Sequence, residues 1–151
     1  GTETLELPPL TFNTESVWFD ISPAVADAVS VHSTDLDGSL HAAEHAIIGM
    51  APVIAMCDRD DLGGRSYSAY TGGNPVIFVY DAYEGGIGIS EKLFESCSDW
   101  LDITLKNVSS CSCEKGCPGC VYSPKCGNGN NPIDKAGCAE FLTILHKNLF
   151  K

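Results

Sequence analysis

Val17, Phe19 and Ile21 fall on one side of an extended stretch, and this period of two predicts a short strand over 17–21. Pro8 and Pro9 exclude a helix from the entry segment 2–15. Pro23 opens a short helix over about 24–31, and 34–38 reads as a loop. Leu40, Ala43, Ile47, Met50, Ala51 and Ile54 then recur at helical spacing, a buried stripe capped by Ser39 and kinked at Pro52. Asp60 to Gly64 closes that segment with a Gly-Gly turn. Ser66–Tyr70 and Val76–Tyr80 read as two strands joined by a hairpin loop. Val76-Ile77-Phe78-Val79-Tyr80 is apolar on both faces, which places it centrally in the sheet. Beyond Gly88 one long amphipathic helix is predicted to about Val108, with Ile89, Leu93, Cys97, Leu101 and Val108 inward. A last helix runs over about 134–149, with Cys138, Leu142, Leu145 and Leu149 inward. The expected fold is α+β: a small sheet of about three strands covered by helices, with a four-cysteine zinc loop (109–131) between the last two helices.

Composition fits a single domain spanning 1–151. The 151 residues are 44% hydrophobic and 19% charged, enough to bury one core and too apolar for a disordered segment. No apolar run reaches the length of a membrane span, and no signal peptide opens the chain, so no membrane partner is expected. The net charge of −11 argues against a general nucleic-acid binder. That charge is uneven. Residues 103–151 carry six lysines against Glu114, Asp134 and Glu140, a balance of +3, which leaves −14 on the first 102 residues. Lys106, Lys115, Lys125 and Lys135 bracket the zinc loop. Lys115 and Lys125 are the candidate DNA contacts, with a merely solvated face as the plainer reading.

Eight cysteines change the picture, because five of them crowd between Cys111 and Cys126. A disulfide framework spreads its cysteines. A cluster with a two-residue gap is the spacing of a metal site, and implies a reducing, cytoplasmic compartment. In Cys117-Pro118-Gly119-Cys120 both sulfurs reach one ion, with Gly119 allowing the tight turn and Pro118 stiffening it. The preferred set is Cys113, Cys117, Cys120 and Cys126, since Cys126 follows Pro124 and precedes Gly127 as a ligand on a second turn would. Cys111, where the preceding helix ends, is the spare or the alternative ligand to Cys113. Four thiolates favour one structural Zn²⁺ over an iron–sulfur cluster and leave no open position for catalysis. Zinc with four thiolates lowers the back-half balance to about +1.

The string Cys111-Ser-Cys113-Glu-Lys-Gly-Cys117-Pro-Gly-Cys120-Val-Tyr-Ser-Pro-Lys-Cys126-Gly resembles the zinc-binding C-terminal domain of DEAD/DEAH-box DNA helicases of the mitomycin-repair type. Other blocks fall in that family's order: Leu7-Pro8-Pro9-Leu10 with Thr14, His41-Ala42-Ala43-Glu44-His45, Cys57 through Gly64, and Tyr80-Asp81 with Glu84-Gly85-Gly86-Ile87-Gly88. The resemblance implies an accessory domain of an ATP-dependent superfamily 2 DNA-repair helicase, supporting DNA or partner engagement. Its partners would be the helicase motor domains of the same protein and, through them, DNA. The chain itself holds neither a Walker A sequence nor a DEAD/DEAH box, so ATP and Mg²⁺ belong to the parent helicase and this chain alone is not an enzyme.

Two motifs support other readings. His41-Ala42-Ala43-Glu44-His45 matches the inverted zinc-protease pattern, with two histidines one helical turn apart. A stand-alone metal-dependent hydrolase would use His41, Glu44 and His45, with a later carboxylate such as Asp81, Glu84 or Glu91 as third ligand. The plainer reading is a hydrogen-bonded polar site of His41, Glu44, His45 and Asp81 at the sheet end. Gly85-Gly86-Ile87-Gly88 follows a strand and opens a helix, as a phosphate cradle would, but Asp81 and Glu84 oppose an anion, which favours a close strand-to-helix turn. A protein–protein interaction module is the third class of function.

Overall fold

The computed structural model describes residues 8–33 and 35–150. The sequence blocks at 1–7 and Thr34 lie outside the described residues. Three antiparallel strands form one sheet in the order β1-β3-β2. β1 (Ser16–Asp20) pairs with β3 (Val76–Asp81) so that Val17 faces Val79 and Phe19 faces Ile77. β2 (Leu62–Tyr67) pairs with the other side of β3, from Leu62 opposite Asp81 to Tyr67 opposite Val76. The central place of β3 is the one its two apolar faces predict. One sheet face, with Val17, Phe19, Leu62, Ile77 and Val79, is buried under the helices.

Five helices make the second layer: α1 (Pro23–His32), α2 (Leu36–Ala55), α3 (Ile89–Glu95), α4 (Cys97–Ser110) and α5 (Lys135–Leu149). α2 is the central one, packed on β2, α4 and α5. It is buried through Leu40, Ala43, Ile47 and Ala51, the stripe the sequence shows. Trp100 of α4 is fully buried and donates its indole N–H to the Ile47 carbonyl at 2.9 Å, which fixes the two helices in register. Phe141 and Leu142 of α5 close the core from the other side.

Four local expectations are corrected. The cap of α2 is Asp35, which accepts from the Gly38 N–H at 2.7 Å; Ser39 lies inside the helix and bonds back to the Asp35 carbonyl. The second strand, expected over 66–70, lies instead at Leu62–Tyr67, and Tyr70 opens a 3-10 turn; α2 continues through Pro52 to Ala55. Gly63 and Gly64 form no turn but sit within β2. A Cβ at Gly63 would strike the Tyr80 ring, and one at Gly64 would lie 2.5 Å from Ile48, so both glycines exist for close approach. The helix after Gly88 is two helices, because Ser96 leaves helical geometry (φ −107°, ψ 24°).

Among the described residues, the outer sheet face stays uncovered. Trp18, 60% exposed, lies opposite Phe78 in the ladder, and Tyr67 and Tyr70 pack edge-on against the same Phe78.

Candidate metal centre and its cleft

Residues 111–130 leave α4 as a loop held from three directions. Val121 is fully buried and Cys120 nearly so, which roots the loop in the core. Asn107 on α4 donates its side-chain amide to the Gly119 carbonyl at 3.0 Å. Lys135, at the start of α5, donates from Nζ to the carbonyls of Cys111 and Cys113 at 2.7 and 2.5 Å. The glycine that the turn requires is Gly116, at φ 132°, where a Cβ would lie 2.6 Å from the Tyr122 ring; Gly119 has ordinary room for one.

Within this loop the sulfurs of Cys111, Cys113, Cys117 and Cys120 converge, all within 4.8 Å of one another. The contacts are 3.6 Å for Cys111–Cys113 and Cys111–Cys117, 3.5 Å for Cys113–Cys120 and 3.7 Å for Cys117–Cys120. Disulfides need about 2.05 Å. Four sulfurs at the vertices of a zinc tetrahedron, each about 2.3 Å from the ion, stand about 3.8 Å apart. The donor set therefore fits one tetrahedral thiolate-bound ion. The four thiols are not electrostatically alike. Burial opposes ionisation of Cys113, yet hydrogen bonds from the Cys120 and Cys111 thiols and the Lys135 ammonium outweigh it and bring its thiol down to about 7. Burial pushes Cys120 up to about 12.

Cys111 thus occupies the place the sequence reading gives to Cys126, and Cys126 is the one set apart. The reason is the turn 123–130. Asn130 accepts from the Ser123 N–H at 2.7 Å and returns a bond to the Ser123 carbonyl at 3.1 Å. The closed turn carries Cys126 away from the knuckle and onto α2, where its sulfur stands 3.4 Å from His41 Nε2. Nothing in local spacing reveals a partner 85 positions earlier.

His41 and His45 do share one face of α2, their rings edge-on with centroids 4.4 Å apart. Burial holds His45 below its ordinary pKa, against the Val121 carbonyl and with help from His41. Glu44 is buried too, and its carboxylate accepts from Ser66 Oγ at 2.7 Å. Burial raises its pKa, with Ser66, His41 and Arg65 opposing. These side chains line a cleft of about 840 Å³ between α2, β2 and the loop, together with Lys125 and both arginines of the chain, Arg59 and Arg65.

Asp81 does not belong to this group. It is fully buried at the end of β3 and accepts from the N–H groups of Ile87, Ile89 and Ser90 and from Ser90 Oγ, at 2.6 to 3.2 Å. The glycine-rich turn is therefore a close strand-to-helix connection whose amides hold an internal carboxylate. Of the two candidate DNA contacts, Lys115 is exposed, whereas Lys125 reaches Asp60 at 3.3 Å and the carbonyls of Arg59 and Leu62. Among the described residues no helix is long and apolar enough to cross a membrane.

The MrfA Zn-binding domain family matches residues 43–121, from the middle of α2 through the fourth clustered cysteine. The chain belongs to this family. It is 40% identical over 110 residues to an uncharacterized protein of Methanocaldococcus jannaschii, covering 70% of this chain and 98% of that one. It is 33% identical over 123 residues to the uncharacterized ATP-dependent helicase YprA of Bacillus subtilis, covering 80% of this chain and 16% of the helicase. Among solved structures, the DUF1998 helicase MrfA bound to DNA superposes with a TM-score of 0.65 at 27% identity, over 93% of this chain and 18% of that one. This MrfA-type zinc-binding domain thus corresponds to a small segment of larger ATP-dependent helicases. The α+β architecture with a cysteine loop between the last two helices is the one expected.

Proposed function

We propose that this chain is the structural zinc domain of an ATP-dependent DNA helicase of the MrfA type, within a reducing, cytoplasmic compartment. One Zn²⁺ is held by Cys111, Cys113, Cys117 and Cys120. The convergence of those four sulfurs at tetrahedral spacing carries the reading. The ion supplies folding energy to a loop with few apolar side chains, and four thiolates leave it no open position for chemistry. The domain's task is placement. Its aromatic sheet face, uncovered among the described residues, is offered to the motor domains of the same protein, and the exposed Lys115 is offered to DNA phosphates. ATP and Mg²⁺ act in the motor domains.

The hydrolase reading has lost its geometry: Glu44 is bound to Ser66, Asp81 caps the glycine turn, and no carboxylate joins His41 and His45 among the described residues. The test is a chimera in which this chain replaces the zinc-binding domain of an MrfA-type helicase. ATP-driven duplex unwinding should persist, and should fail when Cys117→Ser removes the zinc. Unwinding that survives Cys117→Ser, or a chain that carries iron in place of zinc, overturns the proposal.

A further inference from the structure

We propose that His41, His45 and Cys126 form a second metal site, a two-imidazole, one-thiolate set for Zn²⁺ that opens on the cleft. The ligand atoms of the three side chains lie within 4.8 Å of one another. Cys126 Sγ is 3.4 Å from His41 Nε2, and a sulfur and a nitrogen on one tetrahedral zinc stand about 3.6 Å apart. A single S–H···N hydrogen bond accounts for that one distance. It does not account for the second ring.

Both imidazoles are set up in the same way. His41 places Nδ1 2.7 Å from the Pro132 carbonyl and His45 places Nδ1 2.9 Å from the Val121 carbonyl. A carbonyl only accepts, so each Nδ1 carries a proton, and in the neutral ring it is then Nε2 that has the lone pair for a metal. Zinc-ligating histidines are oriented by this outer hydrogen bond, which fixes the tautomer and raises ligand basicity. The sulfur is oriented in a matching way: Cys126 Sγ accepts the Asn130 N–H at 3.3 Å. Helix α2 sets the two rings one turn apart, and the Asn130-clamped turn delivers the sulfur to them.

Three protein ligands would leave one tetrahedral position for water from the cleft that all three side chains line. Glu44 stays on Ser66, so the site holds a metal without an adjacent free base. The two sites draw on different sulfurs, and each can fail without the other.

The experiment is a zinc count on the full wild-type chain, freed of loosely held metal by gel filtration with a weak chelator. Two zinc ions per chain are expected. Cys126→Ser and His41→Ala should each lose one and keep a four-thiolate cobalt spectrum after exchange. Should either variant not fold, zinc X-ray absorption of the wild type decides, with nitrogen as well as sulfur scatterers expected. One zinc in both the wild type and Cys126→Ser, or sulfur scattering alone in the wild type, overturns the second site. One zinc in the wild type and none in Cys126→Ser would sink the four-cysteine reading and leave this one standing.

Discussion

Lys135 rests its ammonium on the carbonyl oxygens of Cys111 and Cys113, the first two members of the sulfur cluster. A cation held there offsets part of the charge that four thiolates bring to one ion, and ties the loop to α5. Lys135→Met keeps the stem and deletes the charge. It should weaken zinc retention about 10- to 100-fold, the usual effect of losing an outer partner of a metal site. Competition against a chromophoric chelator measures it, and an unchanged affinity would make Lys135 only a loop tether.

Metal removal should act on the loop far more than on the sheet. Cys117→Ser should destabilise the chain by at least about 4 kcal/mol, because metal binding here is folding free energy. Cys138, fully buried in α5, should cost about 1–2 kcal/mol as Ala. Cys57 and Cys97 are only half-buried, so as Ala they should cost less than Cys138. Urea titrations of the variants, each purified in the presence of zinc, rank the three classes.

Asp81 makes the fold acid-sensitive. Burial alone would raise its carboxyl, but the hydrogen bonds from Ser90, Ile87 and Ile89 outweigh burial and hold it below the ordinary carboxylate value. Its contribution is therefore complete above about pH 4, the unfolded value, and lost as the pH falls through the lower folded value. Asp81→Asn should cost about 2–3 kcal/mol at neutral pH. It should also flatten the acid limb of a stability-against-pH curve. A limb as steep as that of the wild type would assign the acid sensitivity elsewhere.

The two loop lysines should separate. Lys125→Glu breaks contacts to Asp60 and two carbonyls and should cost about 1 kcal/mol. Lys115→Glu should leave stability within about 0.5 kcal/mol, yet lower DNA affinity of a helicase carrying this domain and reduce its salt slope by about one. A salt slope unmoved by Lys115→Glu would remove this residue from the DNA path.

Periodicity was enough for β1, the central place of β3, the α2 stripe and the last helix up to Leu145, since each is set by residues a few positions apart. It misplaced β2, at 66–70 rather than Leu62–Tyr67, and put Leu149 inward, where it is half-exposed. What failed was set by contacts the chain makes only when folded. Asp35 and Ser39 are both acceptable caps, and only the backbone chooses between them. Gly63-Gly64 reads as a turn until Tyr80 and Ile48 occupy the space their side chains would need. The knuckle was legible as a metal site, but the choice between Cys111 and Cys126 turned on Asn130 and on His41, far away in sequence.

The glycine-rich turn has a consequence for ligands. Its amides already hold the Asp81 carboxylate, a tethered competitor that is always at hand at high effective concentration. A free phosphate would have to evict it and then sit beside its buried charge. The seat is closed to nucleotides by its own chain, so any response of such a helicase to ATP must enter this domain through a surface rather than through this turn.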